Sequence, residues 1–309
     1  MKRLIILLSA MLIFVGGNTQ SKLSEMDFVP FREMVPKTIT LSNGVSLEYV
    51  EKGTKDSTAV IFLHGFSDSW HSFKTVMKML PPDLHLISLS MRGHGNSSKP
   101  GDGYHPNDFA NDLSLFITEK MLGASIIVGH SMGGHIAQRF AISYPRLIKA
   151  LVLIDTDAHF ADNPNFSDFV DQILRFEKPV DYSFARDFQV STLAKSIDSL
   201  QLAIFIDESM KLPLHVWKQG AAGLVAEDFT KQLHSIEVPV LIFWGSKDSI
   251  CLREDQENFT KHLKNYKLIV YEGTGHALHW EEPERFAADL VSFIKIYSHP
   301  EDFPVPATL

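Results

Sequence analysis

The sequence predicts an α/β fold: a mostly parallel sheet with helices on both faces and a helical cap inserted between two strands. Three observations carry this expectation. Short continuous apolar runs, as shown by strands buried on both faces, alternate with segments of helical periodicity. Near the start, Asn43-Gly44 lies between two strand-like runs and marks a hairpin. Residues 157–235 break the alternation, with helical segments rich in Phe and no strand-like run.

In chain order, Lys2 and Arg3 precede an apolar run over 4–15, and Gly16 and Gly17 follow it. A charged start, a short apolar middle and a small-residue end form a secretory signal, so residues 1–17 are expected to direct export and to be removed before Asn18. The run is shorter than the about 20 residues a membrane span needs, so no stable span is expected after processing. Residues 18–37 read as an irregular lead-in. Residues 38–41 and 45–51 flank the hairpin turn, and 58–63, 85–90, 125–129, 149–154, 238–244 and 267–271 read as further strands. Helical stripes begin behind Pro106, after Ser131 and at Pro283, a residue type suited to a helix's first turn. The expected organisation is a core in two parts, 18–156 and 236–309, interrupted by a cap over 157–235.

Composition narrows the function. Of 309 residues, 45% are hydrophobic and 21% charged, enough for a sizeable core. The net charge is −8 and no Lys/Arg block stands out, which argues against a nucleic-acid partner. The sole cysteine, Cys251, has no partner for an internal disulfide. Fourteen histidines invite a check for metal sites, but no H-E-x-x-H and no paired Cys/His spacing occurs. Neither a G-x-G-x-x-G opening a βαβ unit nor a phosphate-binding G-x-x-x-x-G-K-[ST] is present. Chemistry without metal or cofactor is expected.

The central motif is Gly129-His130-Ser131-Met132-Gly133, led in by an apolar strand and followed by a helical pattern. A G-x-S-x-G in that setting projects the Ser131 hydroxyl from a strained turn. A serine hydroxyl needs a base to act as a nucleophile, and in this motif's order the acid and then the histidine follow. Asp248, after the strand over 238–244, and His276, after the strand over 267–271, leave the carboxyl ends of strands where open α/β sheets hold their sites. His276 is the expected base and Asp248 its orienting acid. Asp155, at the end of 149–154, competes for the acid's role, while His64, His94, His130 and His279 are rivals for the base. An oxyanion needs two preorganised N–H donors. The amide of Met132 is one candidate, and that of Phe66, in the loop His64-Gly65-Phe66-Ser67, is the other. From the cap, Phe184 and Trp217 are expected to contact substrate.

These residues resemble the α/β-hydrolase superfamily. The matching segments are Leu63-His64-Gly65-Phe66, Met91-Arg92-Gly93-His94-Gly95-Asn96-Ser97, Gly129 to Gly134, Trp244-Gly245-Ser246-Lys247-Asp248 and Gly273-Thr274-Gly275-His276. Ser90 departs from the pattern, since relatives often carry Asp there. A serine nucleophile sets the chain apart from the dehalogenases and epoxide hydrolases of this fold, which use Asp. The stretch from Tyr271 to Phe286 is similar to that of esterases and lactonases acting on bulky cyclic esters, macrolide esterases among them. The Phe-rich cap implies a large apolar substrate, and with the resemblance the expected substrate is a small-molecule apolar ester or lactone of the bulky kind, a macrolactone among the candidates. Alternatives within the superfamily are cleavage of amides or peptides, cleavage of carbon–carbon bonds, and ligand reception without catalysis.

Overall fold

Asn43 and Gly44 make the first turn: Gly44 takes φ +85°, which costs an L side chain, and the Asn43 side chain accepts from the Val45 amide. The turn joins β1 (Lys37–Thr40) and β2 (Ser46–Lys52) as an antiparallel pair. This computed structural model describes residues 34–298; the expected export segment, 1–17, lies outside them. The chain continues through β3 (Ala59–Leu63), α1 (Lys74–Met79), β4 (His85–Leu89), α2 (Pro106–Glu119), β5 (Ser125–His130), α3 (Met132–Ser143) and β6 (Ile148–Ile154). Four helices follow without a strand: α4 (Pro164–Leu174), α5 (Tyr182–Ser191), α6 (Ser199–Met210) and α7 (Leu214–Leu224). Then come β7 (Val240–Gly245), α8 (Arg253–His262), β8 (Tyr266–Tyr271), α9 (Leu278–Glu281) and α10 (Pro283–Ser298).

The strands form one sheet in the order β1-β2-β4-β3-β5-β6-β7-β8. The pairs β1/β2 and β2/β4 are antiparallel and every other pair is parallel. Alternate side chains of a strand face opposite sides, and two cores result. Ile61, Leu63, Ile127, Leu151 and Leu153 join the side covered by α2 and α3. Val60, Phe62, Ile126, Val128 and Val152 join the side where Phe73 and Val76 of the α1 region and Phe286 and Leu290 of α10 pack. The inserted helices share the first core, since Ile173, Val216 and Trp217 belong to it. Helix α8 was not marked by the sequence pattern because it buries only Gln256 and Phe259, too little for an apolar stripe. Among the described residues no helix is long and apolar enough to cross a membrane.

One polar device ties the loop after β4 to the sheet. Arg92 makes a two-pronged pair with Asp112 on α2, with both contacts at 2.6 Å and both side chains buried. The departure at Ser90 is also accounted for: its hydroxyl donates to Glu48 at 2.9 Å, so β2 supplies a carboxylate close at hand, and that carboxylate also accepts from Asn96.

Candidate active site

Strand β5 runs into α3 with only Ser131 between them, at φ 51° and ψ −118°. That conformation is costly for a residue with a Cβ and persists only where packing enforces it. Here Ser131 N donates to Ile154 O at 2.9 Å and Thr156 Oγ1 donates to Ser131 O at 2.8 Å, pinning both sides of the turn to β6 and the loop beyond it. The flanking glycines permit the approach: a Cβ on Gly133 would lie 2.2 Å from Leu63 O.

The ends of β7 and β8 bring the other two groups to this turn. His276 Nε2 lies 2.8 Å from Ser131 Oγ, and His276 Nδ1 lies 2.9 Å from Asp248 Oδ2. All three residues are buried, Ser131 the least so at 8% exposure. The other oxygen of Asp248 accepts from the amides of Ile250 (2.8 Å) and Cys251 (3.0 Å), which holds the carboxylate toward the imidazole. With Nδ1–H donating to Asp248, Nε2 of His276 is free to accept the Ser131 proton.

The rivals are engaged elsewhere. Asp155 accepts from the amide of Gly245 at 2.8 Å and more weakly from that of Leu278, so it braces β6 against β7 and the start of α9. Burial, followed by the charge of Asp248, pushes its carboxyl well above the usual range. His64 donates from Nδ1 to Gly65 O and accepts from Met91 N, joining the loops after β3 and β4. His94 donates to Arg92 O, and burial brings it down to about 4. His279 stacks on Phe73 beside Ser72, and burial lowers it to about 3. His130 donates from Nε2 to the carbonyl of His276 at 2.8 Å; burial and the imidazoles of His279 and His276 hold it well below the ordinary range. It supports the His276 loop from behind.

Cys251 is buried, its thiol donates to Asp155 O, and burial together with Asp248 raises it well above an ordinary thiol. That is the opposite of a nucleophilic cysteine's environment. Asp248, Cys251 and His276 place ligand atoms within 4.8 Å of one another. The hydrogen bonds already given account for that spacing.

Met132 opens α3, so its amide has no acceptor within the helix. Phe66 lies in the loop after β3. Among the described residues, neither amide donates to a protein acceptor. One contributor carries no sequence signal: Glu281 accepts from the amide of Gly275 at 3.0 Å and from that of Ala194 in the cap at 2.8 Å. It ties the histidine loop to the segment after α5.

The cap's aromatic side chains divide by position. Trp217 is fully enclosed, with its ring centroid 5.1 Å from that of Phe66. Phe184 lies near Trp217 and lines an outer cleft with Arg175, Phe176 and Asp187. A separate cavity of about 280 Å³ is lined by Phe166, Phe169 and Phe188 together with Ser249 and Ile250, the two residues after Asp248. The cavity beside the acid's loop is thus walled by Phe166, Phe169 and Phe188 rather than by Phe184 and Trp217. Trp217 instead backs the loop that carries the Phe66 amide.

Residues 58–283 match the family model described as alpha/beta hydrolase fold. The chain is similar to the bifunctional esterase/perhydrolase DCH of Acinetobacter calcoaceticus, 27% identical over 283 residues, with 83% of this chain and 99% of that one covered. It is similar also to Lipase 1 of Psychrobacter immobilis, 28% identical over 252 residues with 78% of each chain covered. Among solved structures, an esterase from Exiguobacterium antarcticum superposes with a TM-score of 0.78 at 26% identity, covering 84% of this chain and 100% of that one.

Proposed function

The chain belongs to the alpha/beta hydrolase fold family, and on that premise we propose that it is a serine hydrolase cleaving carboxylic esters through an acyl-enzyme on Ser131. The observation that carries this reading is the hydrogen-bonded line from Ser131 through His276 to Asp248, at 2.8 and 2.9 Å. Ser131 Oγ bonds to the ester carbonyl carbon as His276 Nε2 takes its proton. The electron pair moves to the carbonyl oxygen, which lies against the amides of Phe66 and Met132. Collapse breaks the bond to the leaving oxygen, and His276 gives that oxygen the proton. Water then repeats the sequence, releasing the acid and restoring Ser131. Asp248 holds the imidazole's tautomer throughout and balances its charge.

The substrate is an apolar ester or lactone. The Phe-lined cavity beside Asp248, at about 280 Å³, supports this, as do the esterase and lipase among the relatives. That volume sits at the low edge of the about 300–1,000 Å³ typical of pockets for drug-sized ligands. The charged and then apolar start of the chain supports export as the setting. The test is a panel of p-nitrophenyl esters, lactones and peptide anilides, given to the protein and to Ser131→Ala. Ester turnover that Ser131→Ala abolishes is the expected result. Cleavage of anilides alone, or ligand binding without turnover, would overturn the ester reading.

A further inference from the structure

We propose that Gln189, in the cap, is a positioning residue for the loop after β3, holding the Phe66 amide in place through Asp68 and Ser67. The proposal rests on the reading of that amide as an oxyanion donor. Asp68 N donates to Gly65 O at 3.2 Å, closing a four-residue turn with Phe66 and Ser67 at its centre. Ser67, third in the turn, has φ +64°. A turn with positive φ at that position ordinarily takes glycine, and a serine there must be held by its surroundings.

Both holding contacts come from the inserted helices. The Ser67 hydroxyl lies 2.9 Å from Ser209 Oγ on α6. On α5, Gln189 directs its two amide hydrogens to Asp68 Oδ1 and Ser209 Oγ, each at 2.9 Å, with Ser67 Oγ at 3.4 Å. All four side chains are buried, so no water stands ready to replace a lost partner. The Phe66 ring is held from the same side by Trp217 and Phe188. The cap therefore fixes the peptide that presents the Phe66 amide, and without Gln189 the turn keeps only the Ser67–Ser209 contact and a longer one from Ser72 to Asp68 at 3.4 Å.

The experiment compares Gln189→Leu, Ser209→Ala and the double variant Ser67→Gly/Gln189→Leu on p-nitrophenyl butyrate. The amide resonance of Phe66 is followed in ¹⁵N-phenylalanine-labelled protein. Losing an oxyanion donor outright costs about 10²–10³ in kcat, so loosening one should cost about 10- to 100-fold with KM changed less than about threefold. The Phe66 resonance should shift in Gln189→Leu and, to a smaller extent, in Ser209→Ala. Glycine at 67 accepts the positive φ freely, so the double variant should regain part of the lost kcat. If Gln189→Leu does not fold, Ser209→Ala carries the same comparison. A Phe66 resonance unmoved in both single variants, or a loss confined to KM, would overturn the proposal. Absence of ester turnover in the unaltered protein would instead count against the ester reading, and the Phe66 resonance would still decide the positioning claim.

Discussion

Ser131 Oγ and His276 Nε2 stand 2.8 Å apart although 145 positions separate them in the chain. Their meeting requires the turn after β5 and the loop after β8 to converge at one sheet edge. A fluorophosphonate probe should therefore label Ser131 alone, and His276→Ala should slow that labelling by at least about 10²-fold, on the scale of general-base contributions. Peptide mass spectrometry reads the site; a label on Ser97 or Cys251 would refute the assignment.

Asp248 and Asp155 are separable by substitution. Asp248→Asn should lower kcat by about 10³–10⁴, because the imidazole loses its fixed tautomer. Asp155→Asn leaves an acceptor for the Gly245 amide and should cost less than about tenfold. Steady-state kinetics on one ester ranks the two, and the opposite order would transfer the acid's role to the end of β6.

Asp68 makes stability fall with rising pH. Burial, opposed in part by the Gln189 and Ser72 side chains, raises its carboxyl to about 8 in the folded chain. Unfolded, the same group titrates near 4, about the ordinary Asp value. The folded state thus keeps a proton that the unfolded state has released, and the stabilisation, complete below about pH 4, is lost progressively up to about pH 8. Asp68→Asn retains an acceptor for Gln189 without this titration. Its Tm should decline less than that of the unaltered protein between pH 5 and 8. Parallel curves would show Asp68 to be ionised in the fold.

The buried Arg92–Asp112 pair predicts a stability effect away from the site. Asp112→Ala leaves the guanidinium buried without its carboxylate, which costs about 3–5 kcal/mol. Chemical denaturation should show this loss. A change under 1 kcal/mol, by the same measurement, would mean that solvent reaches Arg92 readily.

Two aromatic substitutions in the cap should behave differently. Phe169 lines the cavity and stacks on Phe188 at 4.8 Å, so Phe169→Ala should raise KM for aryl esters more than for p-nitrophenyl acetate. Trp217 is wholly enclosed, so Trp217→Ala should cost about 3–5 kcal/mol of stability and depress all substrates alike. Matching losses for the two variants across both esters would erase the distinction.

The sequence by itself determined the order of elements and marked the residues proposed for the chemistry at their ends. Strands buried on both faces have to be apolar throughout, so β3, β5, β6 and β7 were legible as runs. The turn at Ser131 was legible because only glycine tolerates the approach of Leu63 O to position 133. Asp248 and His276 followed from their places after strands. Tertiary structure alone decided the rest. Asp155 and Asp248 both end apolar strands, and only packing shows that one carboxylate faces His276 while the other is used up on the amide of Gly245. Phe166, Phe169, Phe184, Phe188 and Trp217 are equivalent in composition, yet which of them lines a cavity depends on how four helices cross. Gln189 and Glu281 carry no local motif, because their partners lie 121 and 87 positions away, and a hydrogen bond across such distances leaves no spacing to read.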